Sequence, residues 1–334
     1  MKVTIVDVAK ACNVSVATVS RVLNDNYPVK EQTKEKVLEV VKNMNYKPNS
    51  TARDLSKQNS TTIGVIVPSI NNMFFTDVIN GIEDYFENTD YSIFLCVTNN
   101  EKQKEDKKLN ELISRNVAGI IIIDPNIENL KLKTFDNIAK TTPIVFVNGY
   151  SESPNISIVE NNQIEGSLIA MRYLIENNHR DIAFIRGNKS YSYDIKEQVY
   201  EKITKEFDIY NKDYILNIER GNSIETVNKS MEYTIRLLED NDKISAIFAC
   251  NDLMAMGAMN ACKKLYKNIP ENVSIIGFDN IELSQMIEPK LTTIDQNMFL
   301  LGQNASKLLN EKIDKQENVG RRIILDNFLV KRDT

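Results

Sequence analysis

From residue 63 onward, short apolar runs alternate with amphipathic stretches, and this alternation constrains the fold more than any other feature. The runs IGVIVP (63–68), SIFLCV (92–97), GIIII (119–123), PIVFV (143–147), IAFI (182–185), AIFA (246–249) and VSIIGF (273–278) have strand length and no polar alternation. Between them, 75–88, 102–115, 163–177 and 253–265 carry apolar residues at helical spacing. Strands that are apolar on both faces, separated by helices, predict a parallel sheet covered on both sides. The series spans about 270 residues and restarts after about residue 160, which is too much for one core. Two doubly wound units in tandem are expected, with a ligand crevice between them.

The first 60 residues have a different texture. They hold ten basic and six acidic side chains, a net +4, and leave 31 basic against 40 acidic residues for the rest of the chain. A basic head on an acidic body fits a polyanion-binding module. Ile5–Cys12 reads as a short helix with Val8 and Ala9 inward, and Asn13 as the turn. Ser15 is a fit N-cap for a second helix, Val16–Leu23. Val14, Val19 and Val22 pack that helix inward, which leaves Val16, Ala17, Ser20 and Arg21 outward. Small and hydroxylated residues at a helix N-terminus allow close approach to a major groove, and Arg21 reaches a guanine edge or a phosphate. Val37, Val40, Val41 and Met44 mark a third helix, which the Tyr46-Lys47-Pro48-Asn49 segment ends. SKQNSTT (56–62) reads as a linker.

Several classes are excluded or disfavoured. No run approaches about 18 apolar residues, so no membrane span is expected. The N-terminus lacks an apolar block with a cleavage site, and the four cysteines show no paired spacing, which together fit a reducing cytosol. With one histidine, His179, a histidine-based metal site or triad has almost nothing to work with. No G-x-G-x-x-G, G-x-x-x-x-G-K-[ST] or G-x-S-x-G occurs. No catalytic residue, metal or cofactor is expected. Asp252 and Asp279 imitate an acid pair, but no nucleophile stands beside them.

TIVDVAKACNVSVATVSRVLN (4–24), VKEQTKEKVLEVVKNMNYKPNSTARDL (29–55), NHRDIAFIRG (178–187), AIFACNDLMAMGAM (246–259) and ENVSIIGFDN (271–280) resemble the LacI/GalR family of bacterial transcription regulators. The likeness covers the whole chain. It implies an α-helical helix-turn-helix head over 1–48, a hinge helix and linker over 49–61, and a periplasmic-binding-protein-like α/β body over 62–334. The body would divide into subdomains at about 62–160 with 292–320, and about 161–291 with 321–334.

The resemblance also implies roles. DNA contacts fall to Thr4, Ser15, Val16, Ala17, Thr18, Ser20, Arg21 and Asn24 in the head and to Asn49, Ala52, Arg53 and Leu55 in the hinge. Leu55 would be the wedge that kinks the minor groove. Lys30 stands where the family usually caps the third helix with Ser. Effector contacts fall to Phe74, Phe75, Asn251, Asp279 and Gln296. Other cleft positions depart from the pattern: Asn148 replaces a common Asp, Lys196 replaces an arginine and loses its planar fork, and Asn222–Ser223 replaces an aromatic cap. Tyr191 and Tyr193 are candidate replacement rings.

The expected function is that of a ligand-responsive, sequence-specific DNA-binding regulator, a repressor of carbohydrate or nucleoside metabolism genes. Its partners would be a pseudo-palindromic operator, a sugar, sugar derivative or nucleoside, and a second copy of the chain. No leucine heptads follow FLVKRDT, so a dimer rather than a tetramer is expected. The alternative is a small-molecule binding protein without DNA function.

Overall fold

The computed structural model describes residues 3–24, 28–46, 60–223, 225–316 and 319–334. The hinge positions Asn49, Ala52, Arg53 and Leu55 lie outside the described residues, as does the side chain of Asn24. The chain divides into two compact units, Met1–Ser60 and Thr61–Thr334.

The head has three helices: α1 (Ile5–Cys12), α2 (Val16–Asn24) and α3 (Glu31–Asn43). Thr4 and Asp7 form a capping box that starts α1: the Thr4 backbone N–H and hydroxyl donate to the Asp7 carboxylate at 2.9 and 2.7 Å. Asn13 ends α1 in a left-handed conformation that asparagine tolerates. The Ser15 hydroxyl accepts from the Thr18 backbone N–H at 3.1 Å and so caps α2. Val8, Ala9, Cys12, Val19, Val22 and Val37 form the core. Lys30 offers α3 no side-chain cap.

The body contains two six-stranded sheets. The first runs β11-β5-β4-β3-β1-β2 and is parallel throughout. Its strands are β1 (Thr62–Val67), β2 (Ser92–Val97), β3 (Gly119–Ile123), β4 (Ile144–Val147), β5 (Ile156–Asn161) and β11 (Arg322–Leu325). The second runs β12-β10-β9-β8-β6-β7 and is parallel except for β12 against β10. Its strands are β6 (Ile182–Arg186), β7 (Ile215–Asn217), β8 (Ala246–Ala249), β9 (Ser274–Asp279), β10 (Thr292–Asp295) and β12 (Phe328–Val330). Separate apolar clusters pack on both faces of the first sheet and around the second. Helices α4 (Met73–Phe86), α5 (Lys102–Ser114), α6 (Ile127–Lys131) and α7 (Thr134–Ile138) lie in the first half. Helices α8 (Gln163–Glu176), α9 (Tyr191–Glu206), α10 (Glu225–Asp240) and α11 (Asp252–Lys264) lie in the second, and α12 (Met298–Lys315) returns to pack on α4.

All seven apolar runs are strands. The subdomain division near the C-terminus differs from the sequence expectation. Thr292–Asp295 pairs with β9 in the second sheet, not the first, and Arg322–Leu325 pairs with β5 in the first, not the second. The chain crosses between the halves three times, after β5, after β10 and after β11. Side-chain amides tie the crossings together: Asn161 donates to the Gln296 carbonyl, Asn297 to the Asp326 carbonyl at 3.1 Å, and Asn327 to the Asn162 carbonyl at 2.8 Å. Four-residue strands of this kind carry no sequence mark of which sheet they join.

Candidate functional site

In the head, α2 presents a continuous outward face. Val16 is 40% exposed, Ala17 and Arg21 are exposed, and Ser20 is half-buried. Val16 and Ala17 leave short side chains and Arg21 a cation on one surface, a mix that permits close approach to a groove. The hydroxyls of Ser15 and Thr18 lie 2.9 Å apart and serve the cap, and the Thr4 hydroxyl serves the capping box.

In the body, polar residues gather where parallel strands end. Asp124 directly follows β3, Asn148 follows β4, Asn251 lies just beyond β8, Asp279 closes β9 and Gln296 follows β10. Loops at the carboxyl ends of parallel strands are where open α/β sheets hold ligands. Asp124 and Asn148 sit in the left-handed region that Asp and Asn tolerate, whereas Asp279 has a φ of 122°, a conformation costly for a non-glycine residue. The sheet ends converge on a cleft lined by eight residues expected from the sequence: Phe74, Phe75, Asn148, Tyr193, Lys196, Asn251, Asp279 and Gln296. Asn222, the position read as replacing an aromatic cap, also lines it, and Asn72, Asp124, Ser190, Ser192 and Cys250 complete the lining without having been anticipated.

Tyr191 is not part of this lining. Its ring packs on Tyr150 at 4.9 Å, on the outward side of the α9 N-terminus, while Tyr193 two residues on turns inward. Alternate residues at a helix start point to different sides, so only one of the two tyrosines reaches the cleft.

Hydrogen bonds cross the cleft. Ser190 donates to Asp124 at 3.1 Å, and Asn72 donates to the Asn222 side-chain amide oxygen at 3.0 Å. Tyr193 donates to that same oxygen at 3.2 Å. Gln296 donates to Asp279 and accepts from Gln163 at 2.8 Å. Lys196, 2% exposed, donates to the Cys250 carbonyl at 3.0 Å, and its ammonium lies 3.7 Å from the Phe278 ring centroid. Phe74 and Phe75 meet edge to face at 5.3 Å.

Asp279 does not cap a helix. The Asn251 side-chain oxygen caps α11 by accepting from the Met254 N–H at 2.9 Å, and its NH2 donates to the Gly221 carbonyl at 2.8 Å. Asp252 is buried and accepts from Thr293 at 2.6 Å and from the Ile281 N–H at 2.9 Å, so it is a structural carboxylate bracing the β9 and β10 ends. His179 joins the end of α8 to the start of β8 through Ser245 at 3.0 Å.

Burial governs the electrostatics. It pushes the Asp124 carboxyl up to about 7, against the Ser190 hydrogen bond and the Lys196 charge. It holds Asp279 well above the usual carboxylate range, again opposed by Lys196. Burial lowers Lys196, and the nearby acids partly restore it. Asp124 is therefore able to donate or accept near neutrality, and the Lys196 charge opposes the rise of both carboxyls. Such a set matches a ligand rich in hydroxyl groups. Among the described residues no group of three or more His, Cys, Asp or Glu side chains is placed to hold a metal, and no helix is long and apolar enough to cross a membrane.

The family model for bacterial regulatory proteins of the lacI family matches residues 4–49, and that for a periplasmic binding protein-like domain matches residues 171–334. Catabolite control protein A of Priestia megaterium is 34% identical over 319 residues, 95% of this chain and 94% of the relative. The ribose operon repressor of Halalkalibacterium halodurans is 35% identical over 331 residues, 99% of this chain and 96% of the relative. Among solved structures, a lac repressor dimer bound to operator and the anti-inducer ONPF matches at a TM-score of 0.88 and 26% identity, covering 100% of this chain and 99% of that one. The chain belongs to the LacI family of bacterial regulatory proteins and is a ligand-responsive, sequence-specific DNA-binding regulator of transcription.

Proposed function

We propose that this regulator is a dimeric repressor of genes for carbohydrate use, and that its body senses an uncharged, hydroxyl-rich effector. The observation that carries the effector reading is the cleft: buried amides, hydroxyls and two carboxyls at strand ends, beside Phe74 and Phe75. Amide and carboxyl groups satisfy sugar hydroxyls, and an aromatic ring covers the apolar face of a pyranose or furanose. Effector bonds then replace the direct bonds Ser190–Asp124 and Asn72–Asn222 and reset the angle between the halves. That angle sets the spacing of the paired hinges and, with it, DNA affinity.

Two heads present α2 to a pseudo-palindrome, because a two-fold protein reads a two-fold site. Val16, Ala17, Ser20 and Arg21 read the groove, with Thr4, Ser15, Thr18 and Asn24 toward the backbone. Asn49, Ala52, Arg53 and Leu55 act in the minor groove. The operator-bound dimer described for the lac repressor supports this assembly. A regulator of this kind works in the cytoplasm.

The test joins two measurements on the full chain. A mobility shift on DNA upstream of its own gene should give a specific complex. A thermal-shift screen over sugars, sugar phosphates, nucleosides and purines should raise the melting point with the true effector. A purine or nucleoside as sole hit would replace the carbohydrate reading, and absence of any specific DNA complex would replace the repressor reading.

A further inference from the structure

Taking the cleft as the joint on which the two halves of the body move, we infer that the proton is itself a signal for this regulator: Asp124 seals against the second half as a neutral acid, and its ionisation opens the joint without an effector. The space left between the halves is about 30 Å³, room for one or two water molecules. Asp124 follows β3 in the first half and is 8% exposed, and its carboxyl meets the Ser190 hydroxyl of the second half at 3.1 Å. A hydroxyl donates to a carboxylate or accepts from a carboxylic acid, so this contact across the joint persists when Asp124 is protonated.

Little in this space compensates a negative charge. The titratable and charged groups that face Asp124 are Glu105 in α5, Lys196 and Tyr193 in α9, and, farther round the lining, Cys250 and Asp279. Lys196 is the one base in that set. Its ammonium donates to the Cys250 carbonyl and lies over the Phe278 ring. Glu105 is a second acid, held within the first half by the Asn126 N–H and the Asn129 amide. A carboxylate between such walls loses water without a matching gain, so closing the joint favours the neutral acid. Burial accordingly pushes Asp124 up to about 7. Opening returns water to the carboxyl and restores it toward its ordinary 3.8. Between these values the closed arrangement keeps a proton that the open one sheds. Rising pH therefore favours opening, by up to about tenfold per pH unit, and the effect levels off above about 7.

Other groups that titrate near neutrality do not bridge the joint. The chain has one histidine, and His179 bonds Ser245 within the second half. Asp252 is also pushed up to about 7, but its partners Thr293 and Ile281 lie in the second half with it. Lys312, lowered to about 8, bonds the Asn155 carbonyl within the first half. Motion between the halves leaves all three sets of bonds in place.

Distances between spin labels on the full chain, read without DNA or effector from pH 5.5 to 8 at constant salt, test this. The four native cysteines are buried, so labels attach at Ile70→Cys and Glu219→Cys, two exposed positions. Ser69 and Asn71, on either side of Ile70, line one surface cavity together with Glu219 of the other half. The ratio of long to short distances should rise by about tenfold or more between pH 5.5 and 7.5. Asp124→Asn, which has the shape of the neutral acid, should hold the short distance at every pH. Ser190→Ala removes a donor that favours the ionised form, so its response should extend to higher pH. His179→Gln should respond as wild type does. An unchanged distance in wild type, a response kept by Asp124→Asn, or one lost in His179→Gln overturns the inference. If a ligand from the thermal-shift screen moves the labels at fixed pH and protons do not, the cleft remains the effector joint and the proton signal is overturned.

Discussion

At the scale of single residues, Asp124 makes the cleft sensitive to pH. Its folded carboxyl titrates at about 7 and its ordinary value is 3.8. Between these values the folded protein keeps a proton that the unfolded chain has shed, so stability falls as pH rises; below and above the window the group contributes no slope. The slope is about 1.4 kcal/mol per pH unit. Asp252 adds a slope of the same sign, so the measurement is a difference. Urea unfolding of wild type and Asp124→Asn at several pH values should give a flatter profile for the variant, and superimposable profiles would show that Asp124 ionises freely when folded. Asp279→Ala should weaken effector binding by about tenfold, since it removes a buried hydrogen-bonding carboxyl from the cleft. The cleft residues that the sequence disclosed were those with a recognisable motif around them, such as Asn251 and Asp279. Asp124 directly follows the apolar run GIIII, and a polar residue at the end of a buried strand was the available signal for it. Asn72 and Ser190 lie in loops, and only the meeting of the two sheets brings them to one place.

At the scale of elements, the strands were legible where burial on both faces produced unbroken apolar runs. Ile156–Asn161 was less so: its sequence ISIVEN mixes in Ser157 and Glu160, yet all six residues are buried because Ser157 accepts from the Arg321 N–H at 3.1 Å and Glu160 pairs with Arg322. The exchange of β10 and β11 between sheets was not legible, because the pairing partner of a short strand is set by the crossovers around it. Helix contacts hide in small residues. A Cβ on Gly302 in α12 would strike the Val78 carbonyl oxygen in α4, and one on Gly81 would strike that of Phe299, so the two helices cross backbone to backbone. Gly302→Ala should cost about 1–3 kcal/mol by forcing them apart, read as a lower urea midpoint. The uncapped start of α3 makes the opposite prediction. Lys30→Ser should stabilise the head by about 1 kcal/mol, visible as a higher melting point of the head, and any loss of DNA affinity would report a phosphate contact by Lys30.

At the scale of the molecule, two compact units carry two recognition chemistries, and the division predicts how damage spreads. Arg21 lies in the head and Asp279 in the body. Arg21→Ala should cost roughly 1–3 kcal/mol of operator affinity and relax specificity at the base it reads. Sequence-independent binding, which comes from neutralised phosphates, should survive with its salt dependence. Its calorimetric affinity for the effector in the absence of DNA should match wild type. Asp279→Ala should show the reverse, with effector-free operator affinity unchanged and the effector concentration needed for the response shifted upward by the factor lost in binding. Linkage then imposes a stricter condition. The factor by which effector changes operator affinity must equal the factor by which operator changes effector affinity. Neither variant alters the two body arrangements that the ligands choose between, so Arg21→Ala should retain that coupling factor even as its operator affinity falls. Titrating effector with and without operator on wild type and Arg21→Ala measures both. A coupling factor that collapsed in Arg21→Ala would mean that head contacts help set the body equilibrium, and the two units would not be independent reading devices joined by a hinge.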